Sequence, residues 1–252
     1  GLLISGEMGR MVEKCWITGM TSNPTLFDKA ISGSGDYEEA LQSIIRTGEA
    51  DPYAAFVKLA SDDIRLAADT LRPVYEATNA VDGYVSLEVP PGIENDRQAT
   101  VDEARRLFRL VDRPNVMIKV PGTTAGVGAL TDLIAAGVNV NVTLLFSVEV
   151  YESVAKAYIA GQERRFEAGE RLDTIASVAS FFVSRVDTAE QVLRNVIGEQ
   201  ALRRGGQDFQ FGAHLRPNPR AMIERMISVV PPRSVKDGRR RIASAIKPAK
   251  SA

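Results

Sequence analysis

Short runs of apolar and β-branched residues alternate along this chain with longer stretches in which apolar positions recur every three or four residues. The first pattern suits strands and the second amphipathic helices, and their alternation is the mark of βα units that build a parallel sheet. The pattern predicts strands over 16–21, 83–89, 116–120, 138–145 and 177–183. It predicts helices over 37–46, 52–71, 99–111, 127–136 and 148–166. Several of the strands are nearly continuous in apolar character, as expected where other protein layers cover both faces.

Five such units in 252 residues leave two architectures open. The length matches a TIM barrel, whose eight units occupy about 250 residues, although only five are visible. A doubly wound open sheet is the competitor, but it would announce a Gly-rich phosphate loop after its first strand. The nearest candidate, Gly122-Thr-Thr-Ala-Gly-Val-Gly128, lacks the Gly-Lys-Ser/Thr ending of a P-loop and reads equally well as a helix start.

Composition changes this picture little. With 44% hydrophobic and 25% charged residues, and 31 Lys+Arg against 32 Asp+Glu, the chain is an ordinary near-neutral globular protein. The balance gives no electrostatic reason to expect nucleic acid or a membrane surface as partner. One region departs from it: residues 231–252 hold seven Lys/Arg and one Asp, the composition of a solvated basic tail or of a small nucleic-acid patch. A single cysteine, Cys15, excludes an internal disulfide and points to a reduced, cytoplasmic protein. A single histidine, His214, excludes the usual multi-His metal sites. No apolar run reaches the roughly 18 residues of a membrane helix, and nothing at the start reads as a signal peptide. The first residue, Gly1 rather than Met, suggests processing or a fragment.

Candidate chemistry gathers at the predicted strand ends. Lys119 lies in Val116-Met-Ile-Lys-Val-Pro121, where an ammonium among apolar neighbours either snorkels out to solvent or becomes a partly neutral amine, the form that attacks a carbonyl to make a Schiff base. Pro121 marks the end of that strand, because proline cannot donate to a central ladder. Glu88 repeats the arrangement in Val85-Ser-Leu-Glu-Val-Pro90, so a carboxylate and a lysine would emerge at one rim as proton handler and nucleophile, or as two charges turning into solvent. The period of two puts Asn139, Asn141 and Thr143 on one face of their strand, where they must meet a ligand, a water or another strand's polar group. Ser180 and Ser184 share a face, with Arg185 just beyond as a phosphate ligand or a surface charge. Asn23, before Pro24, is a site residue or simply a turn.

Taken in order, Gly19-Met-Thr-Ser-Asn-Pro-Thr-Leu-Phe27, Val85-Ser-Leu-Glu88, Met117-Ile-Lys-Val-Pro-Gly-Thr123, Asn139-Val-Asn-Val-Thr-Leu-Leu-Phe-Ser147 and Ser177-Val-Ala-Ser-Phe-Phe-Val-Ser-Arg-Val-Asp187 resemble the transaldolase family over roughly residues 2–192. The chain is most similar to the longer bacterial branch, which includes the transaldolase half of fusions to glucose-6-phosphate isomerase. The resemblance implies an α/β fold, a TIM (β/α)8 barrel that is incomplete here, with strands two to six recognisable. It implies an enzyme of the pentose phosphate pathway that moves a dihydroxyacetone unit between sugar phosphates through a Schiff base; the rival readings are a fructose 6-phosphate aldolase of the same superfamily and a catalytically impaired barrel fragment that binds sugar phosphates. No metal or cofactor is implied; the partners are small sugar phosphates, and a homodimer is the assembly to look for.

Carried over residue by residue, Lys119 matches the Schiff-base lysine, and Glu88 and Thr143 match the pair that holds the catalytic water. Asn23 and Asn141 match the amides that orient the sugar, and Ser180 and Arg185 match contacts to substrate and phosphate. Two departures follow. The family's first strand bears a proton-shuttling aspartate, and the chain starts after that point, at Gly1-Leu-Leu-Ile-Ser5, so trapping of substrate is expected to outpace turnover. Residues 199–252 do not resemble the family's last strands, although Phe209-Gln-Phe-Gly-Ala-His-Leu-Arg216 reads as a remnant of the seventh, with Arg216 as a second phosphate contact. The expected domains are therefore a barrel portion over 1–198, a divergent segment over 199–230 and the basic tail over 231–252.

Overall fold

A computed structural model describes residues 3, 5–49 and 51–182. Residue 183 at the end of the fifth predicted strand, the segments 199–230 and 231–252, and Ser184, Arg185, His214 and Arg216 lie outside the described residues.

Five parallel strands form one sheet: β1 (Met20–Thr21), β2 (Val85–Glu88), β3 (Val116–Pro121), β4 (Val140–Leu145) and β5 (Ser177–Phe181). Their spatial order is their chain order, so each crossover moves one place in the same direction. A doubly wound sheet must reverse that direction once. The described strands never do, and the sheet is a curled half-barrel of the TIM type. Its curl is visible in side chains that bridge strands two apart. Asn141 Nδ2 on β4 donates to Ser86 Oγ on β2 across 3.1 Å, a span that these short side chains cover only on a concave face.

The helices are α1 (Glu7–Glu13), α2 (Pro24–Gly33), α3 (Glu38–Arg46), α4 (Pro52–Ala77), α5 (Arg97–Val111), α6 (Thr124–Ala135) and α7 (Val148–Glu167). Each helix that follows a strand starts on a side-chain cap: Asn23 for α2, Asp96 for α5, Thr123 for α6 and Ser147 for α7. Such caps satisfy orphan N–H groups of the first turn and fix where each helix leaves the strand rim. Among the described residues, no helix is long and apolar enough to cross a membrane.

Alternation along the strands sorts the two faces. Val85, Leu87, Ile118, Val120, Val140 and Val142 point outward into the apolar core under the helices. Ser86, Lys119, Asn141 and Thr143 point inward and are also buried, which is why the strands look apolar on both sides by burial while carrying polar chemistry on one. Burial of the outward residues, at about 1.5–3 kcal/mol each, is what holds the helices to the sheet.

Two predicted boundaries are corrected, and two helices are added. The strand predicted over 16–21 is only Met20–Thr21, because Cys15 takes a left-handed φ of 55° and Trp16 turns into solvent. The helix predicted over 52–71 runs on to Ala77 through Pro73. Pro73 is exposed, so water can serve the carbonyl it leaves unpaired, and the last turn is held by Tyr75 packing edge-on against Tyr84 at 5.4 Å. Gly83 makes that contact possible: its φ is 84°, and a Cβ there would lie 2.3 Å from Tyr75 N. Finally, the periodicity missed α1 and α2, since Asn-Pro at 23–24 is a helix start here rather than a free turn.

Candidate active site

The strand register places Glu88 beside Lys119, Lys119 beside Asn141, and Pro121 beside Thr143. These pairings bring four of the predicted site residues to one face at the carboxyl ends of β2, β3 and β4, where barrel enzymes carry their chemistry. Lys119 does not snorkel. Its side chain is 11% exposed, and Nζ donates to Glu88 Oε2 and to the main-chain carbonyl of Ser22, each at 2.9 Å. Glu88, at 25% exposure, keeps one side toward solvent.

Thr143 lies one layer further along the same face. Its hydroxyl is buried and has no hydrogen-bond partner among the described residues, which makes it the natural place for a water or a ligand hydroxyl. Just beyond it the β4–β5 register shifts, and Leu144 takes a left-handed φ of 58°. Replacing Thr143 by Val removes an unsatisfied buried hydroxyl. Thermal unfolding of Thr143→Val is expected to show unchanged or higher stability, by up to about 2 kcal/mol, while sugar processing falls about 10²-fold. A loss of stability with no loss of activity would mean the hydroxyl serves the fold.

Asn141 is oriented from both sides. Ser180 Oγ donates to its Oδ1 at 2.7 Å, and its Nδ2 donates to Ser86 Oγ, which leaves one amide hydrogen for a ligand. Ser180 is thus brought to the site through Asn141. Asn139, on the same face, is a strand clamp instead: it donates to Pro114 O and Val116 O and accepts from Ala176 N.

Asn23 spends its Oδ1 on the α2 cap, accepting from Leu26 N at 2.8 Å. Only its Nδ2 is left for a ligand. Asn23→Asp keeps the cap and removes that donor, whereas Asn23→Ala loses both. The Ala variant should be less stable by about 1 kcal/mol and the Asp variant not, while both lose sugar affinity. Equal affinities for Asp and wild type would reduce Asn23 to a cap.

Two residues escaped the sequence reading, Ser22 and Ser86. Ser86 has the same parity as Glu88, two positions earlier, so the rule that grouped Asn141 with Thr143 would have found it. Ser22 acts through its backbone, which no side-chain pattern reveals. Arg185 lies outside the described residues.

Two cavities adjoin this network. One of about 370 Å³ on the concave face is lined by Thr21, Ser86, Met117 and Asn141 and extends toward Asp82 and Ala176. The other, about 320 Å³, lies outside the sheet among Pro24, Phe56, Leu87 and Pro90 and touches the site only at Glu88. Its walls are largely apolar, whereas the concave cavity opens at the amino ends of the strands and meets the network at Ser86 and Asn141, not at Lys119, Glu88 or Thr143.

A family described as transaldolase/fructose-6-phosphate aldolase matches residues 3–207. A protein named transaldolase 2 from Nostoc punctiforme is 51% identical over 187 residues, covering 74% of this chain and 49% of the relative. A transaldolase from Thermobifida fusca is 46% identical over 214 residues, covering 84% of this chain and 58% of the relative. The chain spans about half the length of the curated relatives it matches. The family match spans residues 3–207, most of the chain, and leads to one conclusion: the chain belongs to the transaldolase/fructose-6-phosphate aldolase family.

Proposed function

We propose that this chain carries the Schiff-base machinery of a cytoplasmic transaldolase, which transfers dihydroxyacetone from sedoheptulose 7-phosphate to glyceraldehyde 3-phosphate, giving erythrose 4-phosphate and fructose 6-phosphate. The observation that carries the reading is the buried Lys119 ammonium held 2.9 Å from the Glu88 carboxylate at the strand rim. The lysine must first lose a proton, and Glu88 is placed to take it, directly or through a water held with Thr143. The neutral amine then adds to the ketose carbonyl carbon. The carbonyl oxygen gains a proton, and leaves as water after a second protonation, giving the iminium. Cleavage would send the C3–C4 bonding pair into the iminium as the C4 hydroxyl gives its proton to a base, a role that no residue of the described site is assigned. The aldose departs, the enamine that remains on Lys119 attacks the acceptor aldehyde, the new alkoxide takes a proton, and water then hydrolyses the iminium to release the ketose and the free lysine. Asn141 and Asn23 would orient the sugar hydroxyls meanwhile.

The test is borohydride reduction in the presence of fructose 6-phosphate or dihydroxyacetone, followed by peptide mass spectrometry. The adduct is expected on Lys119; labelling elsewhere, or none in a folded sample, refutes the reading. Arg185 would hold the phosphate through its planar fork. Arg185→Ala should then weaken phosphorylated sugars about 10- to 150-fold, equivalent to 1.5–3 kcal/mol, and leave dihydroxyacetone untouched. The matched family also covers fructose-6-phosphate aldolases, a second reading in which the enamine is protonated rather than passed on. Release of free dihydroxyacetone in the absence of an acceptor aldose would favour it.

A further inference from the structure

The Lys119 ammonium has two protein acceptors, and only one of them is a carboxylate. The other is the main-chain carbonyl of Ser22, the residue between the end of β1 and the Asn23 cap of α2. A carbonyl at such a junction is free to turn unless its residue is tied down. Ser22 is tied twice to one atom: its N–H donates to Ser86 O at 3.1 Å, and its hydroxyl donates to the same oxygen at 2.8 Å. The residue is 5% exposed, so water does not compete for these bonds.

We propose that Ser22 is a positioning residue for the nucleophile: its hydroxyl locks the peptide whose carbonyl holds the Lys119 nitrogen before and after imine formation. The proposal rests on the Schiff-base reading above. Its logic is a count of hydrogens. The ammonium has three N–H groups and can serve both acceptors, whereas the iminium has one and must choose. Glu88 is needed for proton transfer. The Ser22 carbonyl is a neutral acceptor that takes no proton at any working pH, so an N–H directed at it stays on nitrogen and keeps the iminium cationic, the electron sink that cleavage requires. Because the carbonyl is fixed to β2, the direction of that N–H also fixes the plane of the imine relative to Asn141 and Thr143.

The experiment compares Ser22→Ala, which loses the clasp, with Ser22→Thr, which keeps it. Two readouts are taken on the full chain. The first needs no sugar: competitive acetylation of Lys119 by acetic anhydride, measured against the other lysines by peptide mass spectrometry. The second is the rate of borohydride-trapped adduct with dihydroxyacetone and its concentration dependence. In Ser22→Ala, acetylation of Lys119 should rise and the maximal trapping rate should fall, each about threefold to tenfold, the range for one hydrogen bond. The half-saturating concentration should stay within about twofold of wild type, and Thr should restore both readouts. Ser86→Ala leaves the Ser86 carbonyl in place while removing the partner of Asn141, so it should raise the half-saturating concentration without changing acetylation. Ser22→Cys keeps the volume with a weaker donor, and should fall between Ala and Thr even if the Ala variant does not fold. Wild-type behaviour in Ser22→Ala, or no rescue by Thr, overturns the proposal. Failure of the wild type to trap any sugar would instead sink the Schiff-base reading, while the acetylation series would still decide whether Ser22 holds the lysine.

Discussion

Lys119→Met is expected to yield a folded protein in which borohydride-trapped adduct formation with dihydroxyacetone is lost by about 10⁴-fold or more, the scale on which removal of a nucleophile acts. The more discriminating part of this result is its stability. Removing one partner of a buried ion pair usually costs about 3–5 kcal/mol, because the other charge stays buried and unpaired. Here the remaining charge would be Glu88, a quarter exposed at the end of its strand and able to recover hydration. The methionine side chain meanwhile replaces an ammonium that was costly to bury. Lys119→Met should therefore be as stable as wild type, or more stable by about 1–2 kcal/mol. The reverse deletion, Glu88→Ala, leaves the ammonium at 11% exposure with a single neutral acceptor and should lose about 3 kcal/mol. Urea titrations of the two variants would settle the asymmetry. A Lys119→Met protein much less stable than Glu88→Ala would mean that the lysine is kept for the fold.

Gly126→Ala is expected to be among the most damaging changes of a single methyl group in the described chain, at about 3 kcal/mol or more. A Cβ at this position would lie 1.9 Å from the main-chain oxygen of Pro121. The clash is with backbone, so no rotamer relieves it. Either the first turn of α6 lifts off or the end of β3 moves. Pro121 is in register with Thr143, and Gly122 N donates to Thr143 O at 2.8 Å, so a shift there also displaces the threonine of the site. Chemical denaturation measures the loss, and a penalty below about 1 kcal/mol would refute the argument. The same result explains the glycine-rich stretch at 122–128. It is a helix start pressed against a strand end, with Thr123 as its cap, and its glycines serve close packing.

The sequence made the face-to-face logic of the site readable because a strand has a strict period. Once Asn139, Asn141 and Thr143 were placed on one strand, parity alone assigned them to one face, though it could not show that Asn139 clamps neighbouring strands. The Lys119 and Glu88 pairing was readable for a second reason, the repeated charge-Val-Pro ending that aligned their strands. What could not be read depended on atoms that side-chain patterns ignore. The Ser22 contact is a main-chain carbonyl, and the extension of α4 through Pro73 depends on Tyr75 meeting Gly83 and Tyr84. The short β1 escaped because β-branched content at 16–21 does not reveal that Trp16 faces solvent.

The sequential order of the strands also bears on how the protein can be made. Both groups that hold the Lys119 ammonium precede it in the chain, Ser22 by 97 residues and Glu88 by 31. During synthesis from the amino terminus, the carbonyl and the carboxylate have therefore emerged before the lysine does. Whenever β3 docks, both partners are already part of the emerged chain, so the lysine need not be buried ahead of them. An unpaired ammonium in the core, the most expensive intermediate this site could pass through, is avoided by the order of the letters.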